Sequence, residues 1–262
     1  MLKTKLALAL SLTALGTITA YAGGEKIAFP EGFEKGVMYG TVDRYDNKQY
    51  RELYASKAAV DAVKAGKPIP SGTVLTLVQY KAQLDDKGEP KKDANGKFMK
   101  GDLVAYTVME KRAGWGAEYP AEKRNGEWEY QSFKADKTVN DKADLNTCFT
   151  CHKPFEKQDF VISLAKLAGT APGAKAVPKA GTVVSIAEFK FGPEKAEAKV
   201  GEKITWANTD ASPHQVSIGG PNGERTAVML QGQTAELKFD KPGTYTYICG
   251  LHPSMKGTIE VK

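Results

Sequence analysis

The sequence predicts a mainly β protein in two parts: an N-terminal α+β domain, an antiparallel sheet with a few helices, and then a Greek-key β-sandwich. Three observations carry that expectation. Residues 166–181, "KLAGTAPGAKAVPKAG", are dominated by Ala, Gly, Pro and Lys and offer almost nothing to bury, the composition of a semi-extended linker. Ahead of it, strand-like runs rich in Val, Thr and Tyr surround one helical repeat. Beyond it, short β segments follow one another with turn signals between them. The length of 262 residues also exceeds the usual single-domain size.

The chain opens on "MLKTKLALALSLTALGTITAYAGG". Lys3 and Lys5 precede an apolar run over residues 6–18, and Ala20, Tyr21 and Ala22 fit a small-residue cleavage site, so residues 1–22 are expected to be a secretory signal. The run falls short of the ~20 apolar residues that span a bilayer. The expectation is an exported, periplasmic protein of a Gram-negative bacterium, without stable membrane insertion. Removing the two signal lysines lowers the formal charge from +6 to +4. That mild excess suits an acidic protein partner and is too weak for nucleic acid.

Within residues 23–165, "SKAAVDAVKAG" predicts a helix: Ser56 caps it, Ala59, Val60 and Val63 recur at helical spacing, and Gly66 stops it. "GVMYGTVDRY", "GTVLTLVQYKA", "GDLVAYTVMEK" and "EWEYQSF" predict strands, with "DDKGEPKKDANGK" as a long hairpin loop. Within residues 182–262, about seven strands are expected: "GTVVSIAEFKF", "KAEAKV", "KITWAN", "HQVSIG", "AELKF", "GTYTYIC" and "GTIEVK". So many short strands in so few residues argue for a sandwich. Trp206, in "KITWAN", reads as sandwich core.

Three cysteines leave one over in any pairing, so a disulfide framework does not account for them. Cys148, Cys151 and His152 form "CFTCH". A bare C-x-x-C also serves redox disulfides and zinc sites, but the adjoining histidine makes this the attachment pattern of a c-type haem. Two thiols three positions apart on a tight turn can form thioethers to the vinyl groups on one porphyrin edge, while the next residue turns its imidazole to the iron. A Cys148–Cys151 disulfide would leave His152 a bystander, and zinc would lack a second ligand pair in this domain. With His152 on one face, the sixth position falls to Met, Lys, water or nothing. Met38, Met99 and Met109 qualify by type, although Met38 and Met109 lie in strand patterns that predict core packing.

The order "FPEGFEKGVMYGTV", the short helix, "GTVLTLVQYK", "KFMKGDLVAY", "WEYQSF" and "CFTCHKPFEKQDFV" resembles the cytochrome P-460 and cytochrome c′-beta family over most of residues 28–165. The resemblance implies one of two chemistries. Hydroxylamine-oxidising members carry a strand lysine cross-linked to the porphyrin and a distal carboxylate that accepts protons; cytochrome c′-beta members use an apolar distal pocket to bind nitric oxide or carbon monoxide. On the family pattern Leu77 takes the lysine position and Thr107 the carboxylate position, which removes both special groups. A general base must be ionisable and within reach of the substrate proton. Lys81, on the same strand face as Leu77, and Glu110 are the nearest substitutes, and solvated surface is the plain expectation for both.

The last part of the chain holds "YICGLHPSMKG", which spaces Cys249, His252 and Met255 as C-x-x-H-x-x-M, and "ASPHQVSIG", which supplies His214. One thiolate, two imidazoles and a weak thioether are the donors of a blue (type 1) copper site. From about Val183 onward the chain resembles the small cupredoxins, amicyanin above all, with plastocyanin and pseudoazurin as relatives. Gln215 departs from the Asn common there, which bears on how firmly the two ligand loops are tied.

One covalent haem c and one type 1 copper then use every Cys and His, leaving none for the catalytic copper of a nitrite reductase or a Cys-His nucleophile pair. Three functions compete. The first is a haem-copper redox protein that serves a periplasmic redox partner and binds a small gas or nitrogen oxide. The second is a hydroxylamine or nitric oxide oxidoreductase that passes electrons to copper, and the third a plain two-centre electron carrier. The family resemblance also allows a homodimer through the haem domain.

Overall fold

The computed structural model describes residues 26–121, 124–170 and 181–262. The expected signal and most of the expected linker lie outside them.

The N-terminal part is one antiparallel five-stranded meander in the order β1-β2-β3-β4-β5. Its strands are β1 (Val37–Arg44), β2 (Gln49–Ala55), β3 (Thr73–Ala82), β4 (Lys100–Lys111) and β5 (Trp128–Lys134). The sequence does not predict β2, because Arg51 and Glu52 break its apolar pattern. Helix α1 (Lys57–Lys64) forms as expected: Ser56 accepts a hydrogen bond from the Ala59 amide. The turn that ends it needs a left-handed residue, which Gly66 provides at φ 67°.

Strand periodicity gives this sheet two different faces. Val78, Tyr106, Val108 and Phe133 point to one side and pack with Ile27 and Phe29. Leu75, Met109, Trp128 and Tyr130 point to the other, where Ala59, Val60, Val161 and Leu167 cover them. Helices α2 (Leu145–His152) and α3 (Leu164–Leu167) lie after the sheet in the chain. Leu167 is fully buried, so the expected linker, 166–181, begins too early: packing of the first part holds the chain at least that far. Met38, expected in the core, is 50 % exposed. A register shift between Met38 and Gly40 interrupts the alternation there.

The C-terminal part is a sandwich of two four-stranded sheets, β10-β12-β13-β8 and β11-β9-β6-β7. These strands are β6 (Thr182–Ala187), β7 (Lys190–Gly192), β8 (Lys195–Ala198), β9 (Lys203–Asn208), β10 (Val216–Ile218), β11 (Thr234–Lys238), β12 (Gly243–Cys249) and β13 (Lys256–Val261). "GTVVSIAEFKF", expected as one strand, is two, because Glu188 and Phe189 turn the chain in left-handed conformations at φ 51° and 57°. Trp206 is fully buried between the sheets, edge-on to Tyr247. No helix among the described residues is long and apolar enough to cross a membrane.

Candidate functional site

Cys148, Cys151 and His152 lie on helix α2 rather than on a tight turn. Their i, i+3, i+4 spacing puts all three on one helical face, and all three line a cavity of about 530 Å³. Asp144 caps the helix through the Asn146 amide. Asn125 fixes it to the sheet, donating through Nδ2 to the Tyr130 hydroxyl (2.8 Å) and the Phe149 carbonyl (3.1 Å).

His152 Nδ1 lies 2.7 Å from the Phe160 carbonyl oxygen. A carbonyl only accepts, so Nδ1 carries the hydrogen and Nε2 keeps its lone pair for a metal. Asp159 and Phe160 are both left-handed, at φ 52° and 59°, and this turns the Phe160 carbonyl toward the imidazole. Asp159 holds the turn by accepting from Lys111 Nζ at 2.7 Å and Trp128 Nε1 at 3.3 Å. Burial keeps His152 below the ordinary histidine range. Burial also pushes the Cys148 thiol up to about 11 and raises Cys151. A redox dithiol is activated in the opposite direction.

Leu77 and Thr107 are cross-strand partners on β3 and β4, and both line the cavity. Gln79, one pleat beyond Leu77, donates to Thr107 Oγ1 at 2.8 Å. The Thr107 hydroxyl hydrogen is thereby left to point elsewhere. Lys81 is exposed and does not reach the cavity. Glu110 is not the solvated residue the sequence suggests: it lies on the opposite sheet face, 6 % exposed and paired with Arg112. Among the described residues no carboxylate lines the cavity; its charged lining groups are Arg44, Arg51 and Lys166, beside the imidazoles of His152 and His252. Met109 is the one cavity-lining methionine among them, packed with Leu75 and Trp128, whereas Met99 is 38 % exposed.

The second cluster comes from two loops of the sandwich. His214 pairs by backbone with Met229 just ahead of β10, and Cys249 ends β12. The turn after Cys249 is closed by His252 N–H to the Cys249 carbonyl (3.3 Å) and Met255 N–H to the His252 carbonyl (3.0 Å). Cys249 Sγ stands 3.5 Å from His214 Nδ1 and 3.6 Å from His252 Nδ1, and the two nitrogens are 3.4 Å apart. An ion about 2.0–2.1 Å from nitrogen and ~2.3 Å from sulfur sits over a triangle with edges of roughly 3.4–3.8 Å. The donor set therefore fits one metal ion, and it is the one such cluster among the described residues. Met255 is buried with Cys249 in the same core.

Burial alone would raise the Cys249 thiol, but the hydrogen bonds it shares with His214 and His252 reverse that and bring it down to about 5. His214, fully buried, offers Nε2 to Asp210 Oδ2 at 3.0 Å. Sequence reasoning missed Asp210; its only signal is an acid four residues before a ligand-type histidine. Gln215 ties the loops by other means than the usual Asn. Its carbonyl accepts from Gly250 N–H at 2.7 Å and its side chain donates to the Thr226 carbonyl at 3.0 Å. Gly250 lets the Gln215 side chain pack closely there: a Cβ would stand 2.6 Å from Gln215 Oε1 and oblige that side chain to shift.

The family model for cytochrome P460 matches residues 30–163, and that for the cupredoxin-like domain matches residues 160–261. Amicyanin-alpha of Methylorubrum extorquens is 38% identical over 107 residues, covering 39% of this chain and 90% of that protein. Plastocyanin of Scenedesmus fuscus is 34% identical over 84 residues, covering 28% of this chain and 86% of that protein. A solved amicyanin of Paracoccus versutus aligns with a TM-score of 0.30 and 30% identity, over 33% of this chain and 85% of that one.

Proposed function

Because the chain belongs to the cytochrome P460 family and carries a cupredoxin-like domain, we propose that it is a periplasmic haem-copper redox protein that binds a small gas such as nitric oxide. When bound, the haem would supply an iron able to take up a small ligand, and the copper a one-electron centre. Cys148 and Cys151 anchor one haem c, and His152, with Nδ1–H given to Phe160, presents Nε2 to the iron. His214, Cys249 and His252 would hold one type 1 copper, with the Met255 thioether as a further, weaker donor. Low thiol pKa at Cys249 favours the thiolate that a soft metal takes.

The observation that carries the choice of ligand is the absence of any carboxylate among the described cavity-lining residues. Hydroxylamine oxidation releases protons, and a proton acceptor must stand within hydrogen-bond reach. Leu77 and Thr107 offer instead a methyl-rich wall with one hydroxyl, suited to an uncharged diatomic. Met109 is committed to the core with Leu75 and Trp128, which supports an open sixth position over a plain electron carrier. The optical spectrum of the reduced protein, with and without nitric oxide, tests this choice.

A further inference from the structure

We infer that the copper domain is docked on the haem cavity through its His252 side, so that one electron passes directly between the two centres of a single chain. The inference rests on the haem-copper reading above and adds the route. The cavity that holds Cys151 and His152 is walled in part by Pro213, Leu230, Leu251 and His252. Of the copper donors, His214 and Cys249 are fully buried while His252 is half-buried and reaches the cavity. Electronic coupling falls steeply with distance, so the ligand nearest the cavity sets the path.

Specific contacts hold the two parts in this arrangement. Phe189 is buried at the boundary, its ring 4.7 Å from that of His252 and 5.0 Å from that of His214. The Arg44 guanidinium, from β1 of the haem domain, lies 5.0 Å from the same Phe189 ring, a cation–π contact. Arg44 is itself held by both carboxylate oxygens of Asp46, at 2.8 and 2.6 Å. Tyr45 packs against the sandwich core, and Lys92 bridges to Glu188 at 2.9 Å. Asp210 accepts from the Glu188 and Phe189 amides at 2.6 and 2.9 Å, so one carboxylate shapes both the docking hairpin and the His214 position.

The step moves one electron: Cu(I) becomes Cu(II) as Fe(III) becomes Fe(II), or the reverse, with no bond made or broken and no proton transferred. A one-electron carrier protein resets the pair.

The test uses the full-length holoprotein. Haem and copper content and both absorption spectra are measured first; loss of either centre there would count against the haem-copper reading itself. One centre is then pulse-reduced with a photoexcited flavin while both bands are followed. The expected result is a phase in which one centre is oxidised as the other is reduced, at a rate unchanged over a tenfold range of protein concentration. Glu188→Lys, which sets two like charges together outside both sites, should slow that phase by about threefold at low salt. The exchange Lys92→Glu with Glu188→Lys should restore it. Zero-length cross-linking should join Lys92 to Glu188 in the unaltered protein, a readout independent of electron flow. A rate proportional to concentration, a phase that Glu188→Lys leaves untouched, or no such cross-link would overturn the docking.

Discussion

Asp210 stands 3.0 Å from Nε2 of His214, on the far side of the imidazole from Cys249, and so fixes which nitrogen faces the thiol. Such partners of a ligand histidine set its tautomer and basicity, and their loss costs roughly 10–100-fold in metal affinity. Asp210→Asn keeps the shape and removes the charge. Copper titration of this variant should give an affinity at least about tenfold weaker, with the blue absorption retained at saturation. An unchanged affinity would mean that the contact does not orient His214.

Protein stripped of metal should hold Cys249 as a thiolate far below the ordinary range, because the hydrogen bonds shared with His214 and His252 bring it to about 5 against the cost of burial. For a group depressed on folding, the stabilisation is complete above the unfolded pKa and is lost as pH falls toward the folded one. Thiolate ultraviolet absorption should therefore persist at pH 7 and fade near pH 5, with metal-free stability declining over the same descent from about 9. His252→Ala should move the titration upward.

Thr107 faces the cavity with its oxygen already accepting from Gln79. Its hydrogen is then free to meet a bound diatomic. Thr107→Val should leave the ferrous spectrum as it is and speed nitric oxide release about fivefold, the loss of one hydrogen bond of ~1 kcal/mol. Stopped-flow dissociation into a nitric oxide trap measures this; an unaltered rate would show that the hydroxyl does not reach the ligand.

Leu167 is fully buried against the haem-side core, within residues whose composition suggested a linker. Leu167→Ala should destabilise the haem domain by about 2–5 kcal/mol. Calorimetry should show its transition moved down and the copper-domain transition unmoved. A shift confined to the copper domain would place α3 with the wrong partner.

The grouping of Cys148, Cys151 and His152, and of Cys249 with His252, was legible because the spacing within C-x-x-C-H and C-x-x-H-x-x-M is local. Strands such as Thr73–Ala82 were legible through Val, Leu and Thr at alternating positions. Gln49–Ala55 was not, since Arg51 and Glu52 sit on opposite faces of the strand and interrupt its apolar pattern, and Glu52 is held there in part by Lys100, at 2.9 Å, from a strand distant in sequence. Asp210, Phe189 and the sharing of one cavity by both domains depend on chain segments brought together from far apart. No local pattern announces them. Glu110 shows the reverse error, a charged residue read as surface that the strand period sends inward on the face away from the cavity.

The ferrous optical spectrum before and after one equivalent of nitric oxide tests the central claim most directly. A single-chain haem-copper protein with an open position opposite His152 should give a high-spin c-type spectrum that converts stoichiometrically on adding the gas. A low-spin ferrous spectrum that nitric oxide leaves unchanged would contradict it.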